Sequence, residues 1–147
     1  MLRELLVAFF LAGCCVFIHA VGIIVQLSWF VRMFQPIQTP NNVRAFLALL
    51  HLVCTLFTLH FLEIMVWGEF YFLEHCFADR ETAYYFSLTS YTTVGYGDVV
   101  ISHPWRLMGG LEAINGVLLF GWSTATLVAV LIHFREARLN AAGVINS

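Results

Sequence analysis

The sequence predicts an all-α membrane protein: three transmembrane helices, with a shorter re-entrant helix and loop between the second and third. Three observations carry this. Of the 147 residues, 61% are hydrophobic and only 11% charged, and mean hydropathy is +0.84, far from the balance of a soluble domain. Three apolar stretches exceed the roughly 20 residues a helix needs to cross a bilayer. Between the second and third lies a hydroxyl-rich segment too short to span, running directly into a glycine-containing loop.

The first span, residues 5–31, contains no Asp, Glu, Lys or Arg. Within it, Leu11-Ala12-Gly13-Cys14 has the form of a lipoprotein cleavage box. The apolar run continues past the cysteine through Phe17, Ile23 and Val25, so an uncleaved helix is expected. Residues 32–44 carry two arginines, Pro36, Pro40 and Asn41-Asn42, which reads as a loop with an asparagine cap opening the next helix. The second span covers 43–68. An acidic connection follows over 69–81, with Glu69, Glu74, Asp79 and Glu81 against one arginine. Asp79 or Thr82 can cap a short helix reaching about Tyr91, whose C-terminal end would point into the membrane centre. After Asp98, Ser102 or His103 can cap the third span, with Pro104 in its first turn, over 105–134. Arg32, Arg44, Arg135 and Arg138 belong on the cytoplasmic side, which places the N-terminus and the acidic connection outside and the C-terminus inside.

Residues 87–98 read Ser-Leu-Thr-Ser-Tyr-Thr-Thr-Val-Gly-Tyr-Gly-Asp. Their core, Thr93-Val94-Gly95-Tyr96-Gly97, resembles the potassium-channel selectivity filter, and residues 43–134 resemble the pore module of prokaryotic-like two-transmembrane, pore-loop potassium channels. The physical reason is legible. An ion shedding its water needs a stack of replacement oxygens, and backbone carbonyls supply one only when successive peptides point the same way. Gly95 and Gly97 accept the positive-φ conformations this requires. Val94 and Tyr96 would turn outward and pack. The carbonyls of Thr93, Val94, Gly95 and Tyr96, with the Thr93 hydroxyl, would form the ion sites. One chain gives one strand, so several copies must surround an axis.

The resemblance implies a homotetramer in membrane lipid, with K+ as permeant ion and no other cofactor. It divides the chain into an added N-terminal helix and cytoplasmic loop (1–42) and a pore domain (43–147). It also assigns Tyr85, Thr89 and Asp98 to filter support, with Tyr85 and Phe86 in an aromatic cuff, and makes Gly116 and Gly121 candidate hinges. The first span lies outside the two-span module and is no voltage sensor, having no arginines at every third position. The short tail leaves no regulatory domain expected on this chain, and a regulatory partner of unspecified kind is left open.

Ionisable groups inside spans are functional candidates by default. Glu63 and Glu112 fall at matched depth, roughly 9 and 10 Å below the outer boundary at about 1.5 Å per residue. With His60 and Asn115 they form a candidate gating or proton-sensing set, read alternatively as a structural network satisfied by Ser87, Thr89 and Ser90. Cys15 with His19, and His51 with Cys54, have spacings that suit zinc or copper between the first two spans, but such residues in apolar helices are more often small core groups and hydrogen-bonded histidines. Cys76 either cross-links copies or stays free. The net charge of −2 and the absence of a basic patch exclude nucleic-acid binding. No nucleophile, base and orienting acid fall together, so an enzyme is not expected. The competing function is a non-conducting scaffold or sensor subunit, in which a decayed filter would be expected, whereas Thr93 to Gly97 is intact.

Overall fold

The computed structural model describes residues 2–34 and 42–143. They form four helices and, among the described residues, no strand: α1 (Leu2–Phe34), α2 (Asn42–Leu73), α3 (Arg80–Tyr91) and α4 (Met108–Ala141). The three long helices are apolar and long enough to cross a bilayer, and α3, at 12 residues, is not.

Lipid tails are as apolar as leucine, so helices in a membrane are held by close packing and buried hydrogen bonds more than by a hydrophobic driving force. Both are visible here. Helix α3 lies against α2 and α4, and α1 packs on the same two helices. One buried cluster sits at the α3 end, where Cys15, Trp67, Tyr71, Tyr91, Met108 and Leu119 meet from all four helices. A second, toward the other end, joins Ile23, Leu52, Leu56, Val130 and Phe134. The added first helix therefore shares its core with the pore module. Polar ties mark the two ends: Arg3 reaches Glu74 at 3.3 Å, and Arg138 donates to Asn42 at 2.9 Å.

Several boundaries differ from the sequence expectation. Helix α2 runs on to Leu73, because Glu69 is anchored by Arg80 at 3.3 Å and by the Tyr84 hydroxyl at 2.6 Å instead of ending the helix. The acidic connection shrinks to 74–79. Asp79 is the cap of α3: its carboxylate accepts the Thr82 amide at 2.8 Å and the Thr82 hydroxyl at 2.9 Å. The third span starts at Met108, capped by Leu107 without any side-chain bond, not at Ser102 or His103. Residues 102–108 instead form two tight turns, Trp105 N–H to Ser102 and Met108 N–H to Trp105. These bury Trp105 edge-on against Phe70 at 5.1 Å. Helix α4 also continues beyond 134. The expected loop prolines and the Asn41 cap lie outside the described residues.

Candidate functional site

Helix α3 delivers its C-terminal end directly to the loop 92–98. Its last carbonyls are partly taken by that loop: Thr92 N–H bonds Leu88, Thr93 N–H bonds Ser90 at 3.0 Å, and Gly95 N–H bonds Thr89 at 3.0 Å. The Thr92 hydroxyl donates to Leu88 at 2.6 Å. These bonds fix how the chain leaves the helix. Three alternate residues then hold positive φ: Thr93 at 62°, Gly95 at 51° and Gly97 at 79°. Positive φ at every second residue is a pattern that no regular helix or strand shows. The glycines accept this freely. Thr93, β-branched, does so at a cost of about 1–3 kcal/mol, and nothing in its residue type announced it.

The expected outward packing of Val94 and Tyr96 is not supplied within one chain, since they are 51% and 73% exposed. Asp98 is held by the Tyr85 hydroxyl at 2.7 Å, which keeps its carboxyl below the ordinary aspartate range. Thr89 is buried, with its hydroxyl turned back to the Phe86 carbonyl at 3.0 Å.

Glu63 and Glu112 both reach α3, but at different levels and through separate partners. Glu112 is fully buried and accepts from the Ser87 hydroxyl at 2.5 Å and the Tyr71 hydroxyl at 2.8 Å. Glu63, also fully buried, accepts from the Tyr91 hydroxyl. The anchor points on α3 are four residues apart, about 6 Å along the helix, so the expected matched depth gives way to two braces on α3 one turn apart. Ser90 and Thr89 are not their partners among the described bonds.

Around Glu63 a larger network closes. His19 of α1 places Nδ1 2.8 Å from Oε1, and His60 of α2 places Nδ1 3.1 Å from Oε2 and 3.0 Å from the Tyr91 hydroxyl. Ser123 of α4 lies 2.9 Å from His60 Nε2 and 3.2 Å from His19 Nε2. Cys15, His19, His51 and Cys54 do not gather into one metal site, in keeping with the core-packing alternative. His51 stacks on Trp29 at 4.2 Å and pairs with Gln26 at 3.1 Å, and Cys54 is exposed. Those two sit about two and a half and more than three turns from Glu63 along α2, beyond the reach of any shared ion.

Asn115 is buried with its Nδ2 unpaired. Gly116 lies inside an unbroken α4, and a Cβ there would come within 2.2 Å of the Tyr91 carbonyl oxygen. Its smallness serves contact between α4 and the end of α3. Gly121 has nothing within 4 Å of the corresponding position. Sequence reasoning missed His19, Tyr71, Tyr91 and Ser123 as members of these networks. Each joins across a long separation, 104 positions for Ser123 and His19, which no local spacing encodes.

Residues 59–133 match the family model described as ion channel. Among curated proteins, the calcium-gated potassium channel TvoK of Thermoplasma volcanium is 43% identical over 58 residues, which make up 39% of this chain and 17% of that protein. The chain thus covers about a sixth of that relative's length. No solved structure matches the chain.

Proposed function

The chain belongs to the ion-channel family, and from that premise we propose that it is the subunit of a potassium-selective pore, a homotetramer in which four filter loops face one axis. As a family member with three apolar helices it is a multi-pass membrane protein and a channel, not an enzyme. The observation that carries the potassium reading is the alternating positive φ at Thr93, Gly95 and Gly97 in a Thr-Val-Gly-Tyr-Gly loop hung from the C-terminal end of a short buried helix. Such a loop offers Thr93, Val94, Gly95 and Tyr96 carbonyls to a dehydrated cation, and the negative end of the α3 dipole favours that cation nearby.

Around the filter, Tyr85 with Asp98 and Thr89 act as its support, and the Glu112–Ser87 and Glu63–Tyr91 braces hold α3 in place. Conduction is passive, and lipid surrounds the assembly. The N-terminus and the 74–79 connection face outside and the arginine-bearing C-terminal end of α4 faces the cytoplasm, a polarity supported by the Arg3–Glu74 and Arg138–Asn42 ties at opposite ends.

The test is flux through the purified chain reconstituted in liposomes. Potassium efflux well above sodium efflux is expected, with that preference lost when Gly97→Ala replaces the parent. Equal flux of both ions, or none from correctly inserted tetramers, would sink the reading.

A further inference from the structure

The cluster where all four helices meet has a proton shortage. Six close contacts need a hydrogen or a shared one: His19 Nδ1 and His60 Nδ1 to Glu63, Tyr91 to Glu63 and to His60 Nδ1, and Ser123 to both Nε2 atoms. An ionised Glu63, two neutral imidazoles, one phenol and one serine hydroxyl carry four. Whichever tautomers are chosen, at least one pair of lone pairs is left face to face in an interior where Glu63 and His19 are both fully buried. A buried carboxylate in an apolar membrane also needs a compensating positive charge.

We propose that this cluster is a binding site for a divalent transition ion of zinc type, held by His19 Nδ1, His60 Nδ1 and the Glu63 carboxylate. With such an ion the accounting closes. Both imidazoles carry their hydrogen on Nε2 and donate to the Ser123 oxygen, which has two lone pairs. Both Nδ1 lone pairs and the carboxylate then face the metal, and Tyr91 still donates to Glu63. Ser123 becomes the outer partner that fixes ring orientation, as ligating histidines ordinarily require.

The geometry is close to what the ion needs. The candidate ligand atoms all lie within 4.8 Å of one another. Zinc bonds of about 2.0–2.2 Å set tetrahedral ligands about 3.3 Å apart, so the 2.8 and 3.1 Å separations, which run to the two different Glu63 oxygens, open by a few tenths, while the ligand pairs that lie farther apart, within 4.8 Å, close onto the ion. The second Glu63 oxygen or the Tyr91 hydroxyl stands ready for the fourth position. Two imidazole nitrogens and one carboxylate suit zinc over magnesium or calcium, which take all-oxygen shells. His60 is only partly buried, leaving a way in. A bound ion would tie α1 to α2 and, through Tyr91, to the base of the filter loop.

Binding itself does not depend on the potassium reading. The full chain in detergent, stripped with chelator, exposed to Zn2+ and desalted, is expected to retain about one zinc per chain. His19→Ala and His60→Ala should each lower affinity at least about 100-fold, and Ser123→Ala by about 10- to 100-fold at unchanged stoichiometry. Co2+ in place of zinc should give the visible absorption of a four-coordinate nitrogen and oxygen site, lost in His60→Asn. That variant and Ser123→Ala keep the test alive should His19→Ala fail to assemble. Retention below about a tenth of a zinc per chain, or equal retention by the parent and the His60 variants, overturns the proposal; in the first case the missing positive charge is a stored proton.

Discussion

Thr93 holds a left-handed conformation that its β-branched side chain resists, and it stands where the chain leaves α3 for the loop 92–98, the proposed filter. Such strain persists only where surroundings enforce it, and here the enforcing bonds are those from Thr93 and Gly95 back to Ser90 and Thr89. Gly95→Ala or Gly97→Ala would add a Cβ at φ of 51° or 79°, at a cost of about 1–2 kcal/mol per residue. Both variants are expected to insert normally but lose potassium over sodium preference in liposome flux. Thr93→Ala should be milder, because it removes a hydroxyl and keeps every carbonyl. The Tyr85–Asp98 bond yields a pH expectation. The Asp98 carboxyl is depressed below its ordinary value by the Tyr85 hydroxyl, so its contribution is complete above the unfolded aspartate range near 4 and fades only as pH falls through the lower folded value. Any flux change between pH 5 and 8 must therefore arise elsewhere; an Asp98→Asn channel that loses such a response would contradict this. The positive φ at Gly95 and Gly97 was legible in the sequence, because residue type marks it locally, and Ser87 was legible as one of three hydroxyls on α3 that a buried acid could reach. Tyr91, Tyr71 and His19 were not, because their partnerships depend on which faces four helices happen to present.

At the scale of elements, α3 is set by its two ends. Asp79→Ala removes both bonds to Thr82 and should cost about 1 kcal/mol, read as faster amide exchange in the first turn of α3 with the spans unchanged. At the other end, Gly116→Ala would drive a methyl into the Tyr91 carbonyl oxygen at 2.2 Å. A backbone oxygen cannot swing away as a flexible side chain can, so α4 or the base of the filter must shift. A loss of about 1–3 kcal/mol follows, visible as a lowered melting midpoint of the assembly together with impaired selectivity. A hinge role alone would alter opening and leave the melting midpoint in place. In the 74–79 connection, burial and then Glu74 push the Cys76 thiol up to about 11. A membrane-impermeant maleimide at pH 8 should label it about 100-fold more slowly than an unperturbed thiol, and rapid labelling would refute that. The existence and order of all four helices could be read from hydropathy and the Asp79 cap. Both ends of α3 were readable as well; the C-terminal end of α2 and the ends of α4 were not, because Glu69 and the Trp105 turns are placed by tertiary partners.

For the whole molecule, the decisive fact is how much apolar surface one chain leaves uncovered beside its filter. Val94 and Tyr96 are mostly exposed, although a filter strand works only if its side chains are braced from behind. Within one subunit α3 sits between α2 and α4 and leaves these two without support; in the proposed pore the brace would come from neighbouring copies packed around an axis. Lipid cannot supply it, because its tails offer neither a hydroxyl partner for Tyr96 nor a fixed wall. Closed four-fold symmetry presents each loop with an identical neighbour on either side. The purified assembly in detergent should therefore show a native mass near four times 16.7 kDa, and Tyr96→Ala should weaken both the tetramer and its ion preference while the helices stay folded. Monomers or dimers that still pass potassium selectively would refute the shared-brace argument, since a single chain has no second strand with which to surround an ion.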